Sequence, residues 1–135
     1  MSDLTSPQPA PTVGREDVTE GILLIISSMI QNAGPLGYVI SVLERLSVDL
    51  KTRREHGITV YGGPLRTFNG RDAAIDAYQE ALDCIVYSHQ MFQEMVVGER
   101  FKDALFWEER ASIAVAQAGA IVDWIIKRDA KKKGA

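Results

Sequence analysis

The chain has 135 residues, 46% of them hydrophobic and 24% charged, with a formal net charge of −3. That is an ordinary globular mix in a length that builds one domain around one core. An acidic balance argues against coating DNA or RNA, which leans on excess positive charge, and the single cysteine, Cys84, excludes an intrachain disulfide.

Residues 1–14, "MSDLTSPQPAPTVG", are rich in Pro, Ser and Thr and offer little to bury, so a disordered arm is expected there. Their polarity is not that of a secretory signal. The longest apolar run, "ILLII" at 22–26, is far short of the ~20 residues that span a bilayer. A cytoplasmic protein, in the host cytoplasm if the chain is viral, with no membrane partner, is therefore expected.

The first helix is predicted over about 16–33, opened by acids and stopped by Gly34-Pro35. Ile22, Ile25, Ile26, Met29 and Ile30 form an apolar stripe that Leu23 and Leu24 widen. So broad a stripe implies burial on more than one side, as between subunits. A second helix is predicted over 36–56, with Gly57 as its stop. "GITVYGGPLRTFNG" (57–70) then carries Gly-Gly-Pro and Asn-Gly, which are turn chemistry, so it is expected to be a loop.

The third helix is predicted from the stretch "GRDAAIDAYQEALDCIVY" (70–87) on to Met95, and the fourth over 99–127. The end, "KRDAKKKGA", reads as a frayed basic helix terminus suited to the helix dipole. The expected architecture is all-α, four helices, with an arm at 1–14, a domain over 15–128 and a basic tail at 129–135.

The third helix carries the chemistry. With about 100° per residue, Asp72, Asp76, Glu80 and Asp83 fall within an arc of only about 80°. Like charges at i,i+4 repel, and no basic residue lies between Asp72 and His89 to relieve them. A hard divalent cation with oxygen ligands would offset the repulsion; so would bases on a neighbouring helix. Spacing alone leaves both readings open.

On the second helix, with Glu44 at zero, the apolar residues span about 160° to 320°. Asp49 falls at about 140° and Arg53 at about 180°, so these two charges are expected to face the packed side. Asp49 would add a metal ligand and Arg53 a phosphate clamp, or the two would form a plain i,i+4 ion pair.

The string "YGGPLRTFNGRDAAIDAYQEALDCIVYSHQ" (61–90), with Glu80 and Asp83 as an E-x-x-D pair, resembles small phage and bacterial MazG-like all-α nucleoside triphosphate pyrophosphohydrolases. The resemblance extends over roughly residues 45–90. It implies a helical dimer or tetramer that cleaves a nucleoside triphosphate to the monophosphate and pyrophosphate, with Mg²⁺ or Mn²⁺. The phage branch it resembles, the MazZ-type enzymes, acts on guanine and related purine deoxynucleotides, so a purine such as dGTP is the implied substrate.

Metal ligation carries over to Glu80 and Asp83. The family's first motif, Glu-x-x-Glu on the preceding helix, is missing: Glu44 is followed at the third position by Ser47. Asp49 is the substitute ligand and Asp76 a further one. Glu80 is the expected proton acceptor for the attacking water. Arg53, Arg71 and Lys51 would neutralise phosphate charge, and Tyr61, Phe68 or Asn69 would meet the base or sugar.

The rival class is a non-catalytic helical adaptor, with the first helix as its interaction surface. A di-iron bundle needs Glu-x-x-His pairs, and neither His56 nor His89 has a Glu three residues before it. No P-loop occurs. Cys84 sits among apolar neighbours and is expected to be a buried structural thiol.

Overall fold

The computed structural model describes residues 3–32 and 37–134, and all their side chains except those of 37–39. Among these residues there are four helices and no strand: α1 Val18–Asn32, α2 Gly37–Tyr61, α3 Ala73–Val97 and α4 Phe101–Gly134. The expected stop at Gly34-Pro35 lies outside the described residues. No described helix is long and apolar enough to cross a membrane. The chain divides into two compact units: one holds the residues up to Gln8 together with 72–135, the other residues 9–71.

In the first unit α3 and α4 form an antiparallel hairpin. Asp72 caps α3, accepting from the backbone N–H of Ala74 at 3.0 Å and Ile75 at 3.4 Å. This ties down two of the first-turn donors that a helix leaves unsatisfied. The turn at 98–100 is held by Arg100 N donating to the Met95 carbonyl at 2.8 Å, with Glu99 in the left-handed region at φ 58°. The buried side chains are mostly small: Ala81 and Ser88 on α3, Ala104, Ala114 and Ala118 on α4. Small residues let helix backbones approach closely, and Ile125 and Leu4 supply the larger buried apolar groups. Cys84 is exposed, against the expectation of a buried thiol, with its sulfur 3.9 Å from the Ser88 hydroxyl.

In the second unit α1 packs on α2, with Ile26 and Leu43 as the buried apolar side chains. Only Ile26 of the α1 stripe is buried, while Leu24 and Ile25 are 73% and 63% exposed. The helix α2 runs through Gly57 and absorbs the expected loop residues Ile58–Tyr61. Helices often end on a left-handed residue, and Gly62 supplies one at φ 82°, with Pro64 beyond. Gly62 N donates to the Ile58 carbonyl at 2.8 Å, closing the last turn. Gly57 inside the helix costs ~1 kcal/mol relative to Ala, which a long helix tolerates. The basic tail expected after the fourth helix is likewise helical, as the last turns of α4.

The arm expected to be disordered is tied down along its described length. Gln79 Nε2 donates to the carbonyls of Leu4 and Ser6, both at 2.9 Å. Gln8 donates to the Asp72 carbonyl at 2.8 Å and accepts from Asp72 N at 2.7 Å. Further on, residues 12–18 run antiparallel to 65–69: Thr12 N donates to the Asn69 carbonyl, Arg15 N to Thr67, Thr67 N to Glu16 and Val18 N to Leu65. Composition misses this because Pro- and Thr-rich chain pairs through its backbone and Gln side chains without burying much apolar surface. Gly14 allows the approach, since a Cβ there would stand 2.1 Å from the Thr67 carbonyl oxygen.

Candidate functional site

The second unit holds a cavity of about 720 Å³. One wall is a face of α2: Leu50, Arg53, Arg54, Gly57 and Tyr61 recur at three- and four-residue spacing and so share one side of the helix. The opposite walls come from residues 11–14 and from the 62–71 connection, which adds Arg66, Asn69 and Arg71. Four guanidinium groups therefore border the cavity, and no Asp or Glu lines it.

Each arginine is held differently. Arg54 is fixed by Asp17: its Nε and Nη2 donate to one carboxylate oxygen at 2.9 and 2.5 Å, and the Asp17 side chain is only 8% exposed. The Arg54 hydrogen bond holds the Asp17 carboxyl below its usual range. Asp17 also caps α1, accepting from Glu20 N at 3.2 Å. Arg66 donates to the Arg15 carbonyl at 2.9 Å and Arg71 to the Pro9 carbonyl at 2.5 Å. Arg66 is thereby oriented by a neutral acceptor that leaves its positive charge in place.

Arg53 makes no hydrogen bond or ion pair with any described residue. Asn69 is buried; its carbonyl accepts from Thr12 N and its side-chain oxygen from Arg71 N at 3.1 Å. An anion entering this cavity would meet donors in place, with Arg54 shared with the Asp17 carboxylate.

Of the residues expected to bind substrate, Arg53, Arg71, Asn69 and Tyr61 line this one cavity; Lys51 does not. Arg54 and Arg66 join them and were missed. Arg54 sits next to Arg53 in "TRRE", but the helical wheel singles out only the residue on the apolar arc. Arg66 is placed by pairing between 12–18 and 65–69, which has no signature in composition.

The acids separate into two groups. Asp72 is the α3 cap and pairs with Arg128 of α4 at 2.8 Å, a bond that lowers its pKa. Asp76 accepts from Gln8 Nε2 at 2.7 Å. Glu80 and Asp83 are exposed and have no hydrogen-bond or ion-pair partner among the described residues. Asp49 is also exposed, and it pairs with Arg45 at 2.9 Å, one turn back, where a pairing with Arg53 was considered. The expected placement of Asp49 against the packed side is thus corrected. Among the described residues, no three His, Cys, Asp or Glu side chains are grouped to hold a metal ion.

The chain matches no family model, no curated protein and no solved structure.

Proposed function

We propose that the chain is a metal-dependent hydrolase of the MazG-like kind, cleaving a (deoxy)nucleoside triphosphate, with a purine such as dGTP as substrate, to the monophosphate and pyrophosphate. The observation that carries this reading is the cavity bordered by Arg53, Arg54, Arg66 and Arg71 without a lining carboxylate. Clustered guanidiniums of that kind match phosphate oxygens in charge and in fork geometry. Arg53 is the arm without a partner among the described residues, so it is available to a phosphate.

Glu80 and Asp83 of α3, in the first unit, are the residues to which the resemblance assigns the metal. Mg²⁺ is held through one or two carboxylates, with water and substrate phosphates completing its shell. Two unpartnered carboxylates at i,i+3 fit that mode, whereas Asp49 and Asp76 are engaged by Arg45 and Gln8. When bound, Mg²⁺ or Mn²⁺ would supply neutralisation of phosphate charge and a water of lowered pKa.

Glu80 accepts the proton as the water oxygen bonds to the α-phosphorus. The α–β anhydride bond breaks and pyrophosphate leaves with the bonding pair. Arg53 and Arg71 stabilise the charge that develops on the departing phosphates. Lys51 is an exposed auxiliary on α2 that would reach a phosphate only from outside the cavity lining.

The resemblance that implies the activity also implies a homodimer or homotetramer. Exposed Leu24, Ile25 and Met29 on α1 suit a surface that another copy covers. The same exposure favours the second reading, a non-catalytic helical adaptor.

The decisive experiment replaces Glu80 and Asp83 with Asn or Ala and measures pyrophosphate release from dNTPs with Mg²⁺ or Mn²⁺. Loss of a general base or metal ligand lowers the rate by about 10²-fold or more, and variants as active as the wild type would refute the site. An adaptor would show no rise in melting temperature with Mn²⁺ and a nonhydrolysable dNTP, whereas a nucleotide enzyme would.

A further inference from the structure

Phe68 is a bulky aromatic held in the left-handed region, at φ 54°, with 76% of its surface exposed. Both features run against residue type. A non-glycine residue there costs roughly 1–2 kcal/mol, and a phenyl ring in water forgoes its hydrophobic gain. The surroundings impose the conformation. Thr67 on one side is bonded to Arg15 and Glu16, and Asn69 on the other is buried and bonded to Thr12 and Arg71. Gly70 then follows at φ 83°.

One face of the ring is already used. The Arg15 guanidinium carbon lies 4.5 Å from the ring centroid, and the backbone carbonyl of Arg15 is the acceptor for Arg66. The pair is therefore anchored to the arginine cavity through both paired segments: Arg15 follows the lining residue Gly14, and Phe68 precedes the lining residue Asn69.

We propose that Phe68, backed by Arg15, is the stacking platform for the aromatic base of the nucleotide whose phosphates the arginine cavity holds. The inference rests on the phosphate-binding reading of that cavity and adds the group that reads the base. A π-face accepts any base, and its preference for purines follows from their larger area. The strained backbone keeps the ring presented in the absence of ligand.

The test compares two probes on the full-length protein by calorimetric titration: inorganic tripolyphosphate, which has no base, and a nonhydrolysable α,β-imido purine deoxynucleoside triphosphate. Phe68→Ala is expected to weaken the nucleotide analogue by about tenfold or more while tripolyphosphate binds as to the wild type. Phe68→Trp keeps a π-face and is expected to retain the analogue. If Phe68→Ala leaves the analogue unchanged, or weakens both probes alike, the platform is refuted while the phosphate cavity stands. If neither probe binds the wild type, the cavity reading falls and the platform with it.

Discussion

The allocation of acids along α3 yields a graded test at Asp72. Its carboxylate does two structural jobs, capping α3 and pairing with Arg128, with side chains 30% and 21% exposed. Removing a cap costs ~1 kcal/mol. The part-exposed ion pair contributes about another 1 kcal/mol once screening is allowed for. Asp72→Ala removes both, so about 2 kcal/mol is lost, or roughly 6–8 °C of melting temperature for a chain of this size. Asp72→Asn keeps a good cap and removes only the charge, so it should fall by about half as much.

The pH dependence has a definite sign. Arg128 holds the folded-state pKa of Asp72 below its ordinary value. The ion pair's contribution is thus complete above the unfolded pKa of about 3.9 and disappears as pH falls through the lowered folded value. The gap between wild type and Asp72→Asn in thermal unfolding should be constant near neutrality and close in acid. Pyrophosphate release by Asp72→Asn should remain at the wild-type level below its melting point. A variant that melts like the wild type but has lost activity would refute the structural assignment of Asp72.

Gly57→Ala should raise stability by about 0.5–1 kcal/mol, since the residue is inside α2 and a Cβ there meets no atom within 4 Å. A thermal melt that falls would show that the glycine is required for something other than helix geometry. Arg53→Ala should leave the melting temperature unchanged, because the side chain has no hydrogen-bond or ion-pair partner among the described residues. It should weaken tripolyphosphate binding roughly tenfold or more, the worth of one charge-assisted hydrogen bond; unchanged affinity in calorimetry would remove Arg53 from the clamp.

The helices were legible because each is long and periodic, and α3 and α4 begin within three residues of the predicted starts at 70 and 99. The end of α2 was misplaced because two glycines compete for the same role, and only Gly62 adopts the left-handed conformation. The crowded acids of α3 pointed to something real, but half the crowding is relieved by groups remote in sequence: Arg128 for Asp72 and Gln8 for Asp76. A helical wheel contains only one helix and cannot supply those partners. The same limit hid Arg66, whose position depends on backbone pairing fifty residues away. Arg53, Arg71, Asn69 and Tyr61 line one cavity because the end of α2 and the connection that follows it, on which the resemblance and the wheel both drew, form most of its wall.

The two hydrogen bonds between Gln8 and the backbone of Asp72 have a topological consequence. Residues 9–71 leave one unit and return to it at points that a single glutamine side chain clasps together. The arginine-bearing unit thus lies in sequence between the short N-terminal segment and the continuous α3–α4 hairpin that together make up the other unit. Closely spaced entry and exit points are where chains tolerate grafting. The arginine cavity thus belongs to one unbroken stretch of chain whose entry and exit are tied together at Gln8 and Asp72.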